Sequence, residues 1–158
     1  MLTGRRLLRV AGLATAAASL LHLVIIIGGP DWYRFFGAGE GMARLAASGS
    51  VAPTVVTGSI AAMLLIWALY AFSGAGDVKR LPLLRLALLV IAAVFLTRGL
   101  LGMPLVLLGD GPYLDELKGR LVFMIVTSVV CVVLGLCYAA GAATVHTAAT
   151  DRRPGSRT

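Results

Sequence analysis

Four long apolar runs decide what this chain can become. They cover about residues 7–27, 51–73, 83–108 and 121–143, and each supplies the roughly 20 apolar residues that an α-helix needs to cross about 30 Å of hydrocarbon. Only one medium loop, two short ones and two polar ends remain, so a separate soluble domain has no room. Of the 158 residues, 59% are apolar and the mean hydropathy is +0.93, whereas soluble domains are about half apolar. The expected fold is all-α: one integral membrane bundle of four transmembrane helices in residues 1–148, an amphipathic interfacial segment after the first span, and a polar tail at 149–158.

The net charge of +7 follows the same architecture. Arg5, Arg6, Arg9, Lys79, Arg80, Arg85, Arg152, Arg153 and Arg157 flank one side of the spans. Arg34, Arg44, Lys118 and Arg120 flank the other, diluted by Asp31, Glu40, Asp110, Asp115 and Glu116. Under the positive-inside rule this bias puts both termini in the cytoplasm. Topology and anionic lipid account for the basic charge, and no nucleic-acid partner is expected. The start "TGRRLLRVAGLATAAASLL" resembles a signal peptide with a twin-arginine flavour. Its apolar run is too long for one, and further spans follow, so it reads as an uncleaved first span.

Two prolines and a set of small residues shape the spans. Pro82 suits the opening turn of the third span, where its missing N–H costs nothing. Pro104 is expected to kink or break that span, leaving "GMPLVLLGDGPY" at the interface. Gly135, Ala139 and Ala143 recur every four residues in the fourth span, and Gly12 and Ala16 in the first. That spacing lets backbones approach closely, within the bundle or against a second copy or a larger membrane complex. Cys131 and Cys137 lie about 600° apart around a helix, which disfavours a dithiol centre.

Ionisable side chains inside hydrocarbon are costly and mark candidate sites. Two lie well inside the spans, His22 and Arg98. Counting about 1.5 Å per residue from the outer ends puts His22, Thr57 and Thr127 roughly 8–10 Å deep, with Arg98 able to reach that layer. The four define an expected outward-facing polar pocket, with Arg98 clamping an anion or carbonyl and His22 beside it. A proton-coupled exporter would place a carboxylate mid-span, and none of the seven acids lies there. Bis-histidine haem is excluded because His146 lies at the opposite end from His22, though a Met or single-His arrangement is not. No pattern supports copper on His22 with Met42, Met103 or Met124, so neither metal nor cofactor is expected. "GAGEG" at 37–41 lacks the strand and the compartment of a phosphate loop.

The loop "GGPDWYRFFGAGEGMARL" starts a short helix at Pro30 and Asp31. Trp32, Phe35 and Phe36 share one face, Arg34 turns away, and glycines break the helix before a second turn bearing the Glu40–Arg44 pair. Trp32, Tyr33, Phe35 and Phe36 are the expected interfacial anchors. Glu40 is a candidate to close over Arg98. Trp67, Tyr70, Phe72 and Tyr138 read as the inner aromatic belt.

Around "HLVIIIGGPDWYRFFGAGEGMARLA" and "LLRLALLVIAAVFLTRGLLG" the chain resembles uncharacterised small four-span bacterial inner-membrane proteins. The resemblance implies an architecture and no activity, and it supplies no catalytic residues. Three functions are therefore expected to compete. The first is a binding or accessory protein holding a lipid-like or anionic amphiphile. The second is an enzyme on a lipid or quinone-like substrate, using His22 as acid or base and Arg98 against negative charge. The third is a structural subunit docking through the Gly135, Ala139, Ala143 face.

Overall fold

A computed structural model describes residues 2–150. Within it, nothing is described of the side chains of Leu2, Tyr113, Glu116, Leu117 and residues 146–150. The tail beyond Thr150, with Arg152, Arg153 and Arg157, and the His146 side chain thus lie outside the described residues. Every element among the described residues is a helix: α1 (Leu2–Gly28), α2 (Pro30–Phe35), α3 (Glu40–Ala47), α4 (Ala52–Ala75), α5 (Leu84–Leu108), α6 (Pro112–Lys118) and α7 (Leu121–Thr150). Hydrocarbon leaves no water for exposed backbone groups, so an open chain crosses it as helices. α1, α4, α5 and α7 are long and apolar enough to span a membrane, and by length and composition the chain is a multi-pass membrane protein. The even number of spans puts both termini at one end of the bundle, the terminal end; α2 and α3 form a strap at the other.

The spans associate as two pairs. Along the α1–α4 seam Leu8 meets Gly74, Gly12 meets Ala71 and Phe72, and Ile26 meets Gly58. Ser19 donates across it to the Ala61 carbonyl at 2.7 Å. Along the α5–α7 seam, Ala92 and Leu96 meet Gly135 while Gly99 faces the Ser128 and Val132 backbone. Gly135 is thus spent inside the chain, on α5. Ala139 is half-buried against the core, and Ala143 is exposed.

The pairs join to each other in the half of the bundle nearer the termini. Thr144 lies against Gly4, Leu8 against Gly141 and Leu88 against Gly74. At the centre, the fully buried Tyr138 shares its hydroxyl proton between Thr15 Oγ1 and the Trp67 carbonyl, both at 3.1 Å. Phe95 fills the space between Trp67 and Tyr138, with ring centroids at 5.3 and 5.8 Å. This corrects the expected inner belt. Tyr138 and Trp67 point into the bundle, where the phenol finds the partners that hydrocarbon denies it, and Phe72 packs on Gly12. At the terminal end Arg9 pairs with Asp77 of the α4–α5 turn, Nε to Oδ2 at 2.8 Å.

Of the kink or break expected at Pro104, the break does not occur. α5 runs through it to Leu108, so residues 102–108 extend the span, and the short helix outside it is α6. Neighbouring helices tolerate an internal proline in a span by re-satisfying its freed carbonyl.

The seams make a contrast in one helix testable. A Cβ on Gly99 would lie 2.8 Å from the Ser128 carbonyl oxygen and 2.9 Å from the Val132 nitrogen, backbone atoms that cannot swing aside. Gly99→Ala is expected to push α5 from α7 and to cost about 1–3 kcal/mol, read as a lower melting temperature in detergent. Gly102→Ala, whose nearest neighbour would be at 3.6 Å, is expected to melt like the parent.

Candidate functional site

The strap is built by glycines and one arginine. Gly37 and Gly39 adopt φ of 76° and 92°, a left-handed backbone that side chains resist, and they turn the chain from α2 into α3. Arg34 then locks the two helices: Nε donates to Glu40 Oε2 at 2.7 Å, Nη2 to Glu40 Oε1 at 3.1 Å and Nη1 to Asp31 Oδ1 at 2.9 Å. Arg44 stands 3.7 Å from Glu40 Oε1. Glu40 therefore serves the strap, and no ion pair joins it to Arg98 among the described residues. The hydrogen bond from Arg34, with the nearby charges of Arg34 and Arg44, holds the Glu40 carboxyl below its ordinary 4.5. Bonds to Glu40 and Asp31 raise the Arg34 pKa above its usual value.

The aromatic anchors divide. Trp32 and Phe35 are exposed, and Phe36 packs edge-on against Phe35 with centroids 5.0 Å apart. Tyr33 instead turns inward, 2% exposed, against Ile25 and Ala43. It lies about 100° around α2 from Trp32, and its hydroxyl is buried without a partner among the described residues. On the far side Arg120 donates to the Phe35 carbonyl at 2.8 Å, tying the strap to the start of α7. A shallow hollow of about 600 Å³ between the strap and Pro112 carries Glu40 and Arg44.

Beneath the strap lie the four residues of the polar layer. His22 is half-buried, with Nδ1 2.7 Å from the Ala18 carbonyl. That contact makes Nδ1 the protonated nitrogen and leaves Nε2 as an acceptor. Thr57 is buried on α4. The Thr127 hydroxyl is occupied by the Phe123 and Met124 carbonyls of its own helix. No hydrogen bond joins any two of the four among the described residues. Because α5 runs on to Leu108, the Arg98 backbone sits about 15 Å below the strap end of its helix, a turn deeper than His22. The side chain recovers the difference, since Nη1 is 3.6 Å from where a Gly102 Cβ would be, about 9 Å below that end. The guanidinium thus runs alongside Gly102. Ser128, which the sequence reading passed over, is buried, with Oγ 3.9 Å from the same point. It precedes Gly135 by seven residues, two helical turns, so the glycine face of α7 was the signal for it.

Arg98 is exposed and makes no ion pair among the described residues. Around it the two helix pairs part. On α5 Ile91 is buried, yet Arg98 and Leu105, seven and fourteen residues further on along the same face, are open. On α4, Trp67 packs on Phe95, yet Met63, Ile60 and Val56, on the same side one to three turns further on, are 36–49% exposed. The result is a crevice between α4 and α5, apolar on both walls and charged at its base by one guanidinium. Among the described residues no three His, Cys, Asp or Glu side chains come together.

Compared with family models, curated proteins and solved structures, the chain matches none.

The strap lock has a pH signature. A carboxyl whose folded pKa is depressed contributes stability above its unfolded value, and that contribution is lost as pH falls through the folded one. Amide exchange in residues 30–47 is expected to quicken, relative to the spans, as pH falls below the ordinary glutamate range and through the depressed Glu40 value. Glu40→Gln should produce the same loosening at neutral pH, and measurement by mass spectrometry checks both.

Proposed function

We propose that this protein binds a lipid-like or anionic amphiphile in the crevice. The anionic head lies on Arg98 beside the Ser128 hydroxyl, and the tail leaves sideways between the apolar walls of α4 and α5. We place it in a bacterial inner membrane with both termini cytoplasmic, following the basic residues at the terminal end, so that the crevice opens into the outer leaflet under the strap.

One observation carries this reading. Arg98 has no carboxylate partner among the described residues although it lies inside a span, where an arginine costs about 2.5–3.5 kcal/mol at the helix centre. An anion entering from the lipid offsets that cost. The structural-subunit reading draws less support, because Gly135, the first of its small residues, is already covered by Leu96. An enzymatic reading of the same crevice draws on His22, whose ring is fixed by Ala18 with Nε2 left for a substrate.

Native mass spectrometry of the gently extracted protein tests the proposal. The parent is expected to carry a defined amphiphile and Arg98→Ala to emerge without it, while melting no lower than the parent. Bare protein in both samples, or the same adduct in both, would count against it.

A further inference from the structure

The crevice presents two polar groups to an occupant, and neither has a partner among the described residues. Arg98 Nη1 lies 3.6 Å from the point where a Gly102 Cβ would be, and Ser128 Oγ lies 3.9 Å from the same point. The two flank one spot beside Gly102, one reaching it along α5 and the other from α7. Ser128 is 8% exposed, yet its hydroxyl makes no hydrogen bond among the described residues. Elsewhere in the spans Thr15 is bonded to the Ala11 carbonyl, Ser59 to that of Val55, and Thr127 to those of Phe123 and Met124. A buried hydroxyl without a partner is costly, and an anion that accepts from it removes that cost.

The charge at this spot is a single one. At the strap end Arg34 engages Asp31 and Glu40, Arg44 stands beside Glu40, Lys118 pairs with Asp115, and Arg120 donates to the Phe35 carbonyl. Arg98 is the cation of this half without such a partner among the described residues, so a monoanion balances it. Depth decides which monoanion. The guanidinium lies about 9 Å below the strap end of α5, within the hydrocarbon. A phospholipid brings a phosphodiester that stays ionised there, two chains, and a polar headgroup that must be buried beyond the phosphate. A carboxylic acid has nothing beyond its two oxygens and enters hydrocarbon as the neutral acid. Beside a fixed cation its ionised form is favoured, and the proton leaves to water at the mouth of the crevice. Guanidinium and carboxylate then match in shape as well as charge. Val56, Ile60 and Met63 on α4 and Leu105 on α5 supply apolar walls for a chain.

Resting on the crevice reading above, we infer that the occupant is a long-chain carboxylic acid, its carboxylate bridging Arg98 and Ser128 and its single chain lying between α4 and α5.

The test uses the full chain in detergent micelles with equal amounts of oleic acid, methyl oleate and dioleoyl phosphatidylglycerol, read by native mass spectrometry. Methyl oleate has the chain without the charge, and phosphatidylglycerol has the charge on a phosphodiester. The parent is expected to retain one oleate in preference to both. Arg98→Ala should lower that retention by on the order of a hundredfold and Ser128→Ala by on the order of tenfold. Ser128→Ala removes a hydroxyl without a partner among the described residues, so it should melt like the parent; this keeps the test valid if Arg98→Ala folds poorly. Methyl oleate held as well as oleate, or oleate held equally by the parent and both variants, would overturn the assignment. Phosphatidylglycerol held in place of oleate and lost with Arg98→Ala would overturn it too, while leaving the crevice reading standing. None of the three held, with no Arg98-dependent adduct of any kind, would overturn both.

Discussion

Helices in hydrocarbon gain little by exchanging lipid neighbours for protein ones, so they hold together where their backbones can come close. The architecture follows from where this chain allows that approach. Gly12 and Gly74 close α1 on α4, Gly99 and Gly135 close α5 on α7, and Gly4 and Gly141 bring α1 to α7 near the termini. In the strap half, α4 carries Val56, Ile60 and Met63 on the side of Trp67, and α5 carries Arg98 and Leu105 on the side of Ile91. None of these is small. Where the small residues stop, the pairs part, and the crevice is the outcome of that change in side-chain size.

Arg98 stands where the parting begins. Ile91 and Phe95 are buried, and one turn after Phe95 the helix carries a guanidinium. Gly102, another turn on, leaves that group room to climb toward the strap. The strap is meanwhile self-sufficient in charge, since Arg34 engages both Asp31 and Glu40. Its acids are committed to holding α2 against α3. The layer beneath is left with a cation and the Ser128 hydroxyl, a set suited to an incoming anion.

The spans were legible in the sequence because bilayer thickness imposes their length, and the interfacial helices because Pro30 and the glycines at 37, 39 and 41 punctuate the loop. The depth of the polar layer was legible too, by counting along helices. What direction each side chain takes was not. These spans are apolar all round, so they lack the polar stripe that reveals the inner face of a soluble helix. Tyr138 and Tyr33 therefore read as interfacial aromatics, though both turn inward. Thr127 was chosen for the layer by depth, whereas its neighbour Ser128, on the glycine face, is the one beside Arg98. Pro104 read as a kink or a break because its missing N–H is visible in sequence and the support of neighbouring helices is not.

The opening of the pairs around Arg98 is the claim on which the functional reading rests, and electron paramagnetic resonance in a bilayer measures it directly. Nitroxides placed singly at Val56, Ile60, Met63 and Leu105, with Cys131 and Cys137 replaced by alanine, report access to oxygen dissolved in the lipid. The expected result is high oxygen access at all four positions, on both walls of the crevice. Low access and immobile spectra at Ile60, Met63 and Leu105 would mean that α4 and α5 close along their whole length, and would contradict the crevice.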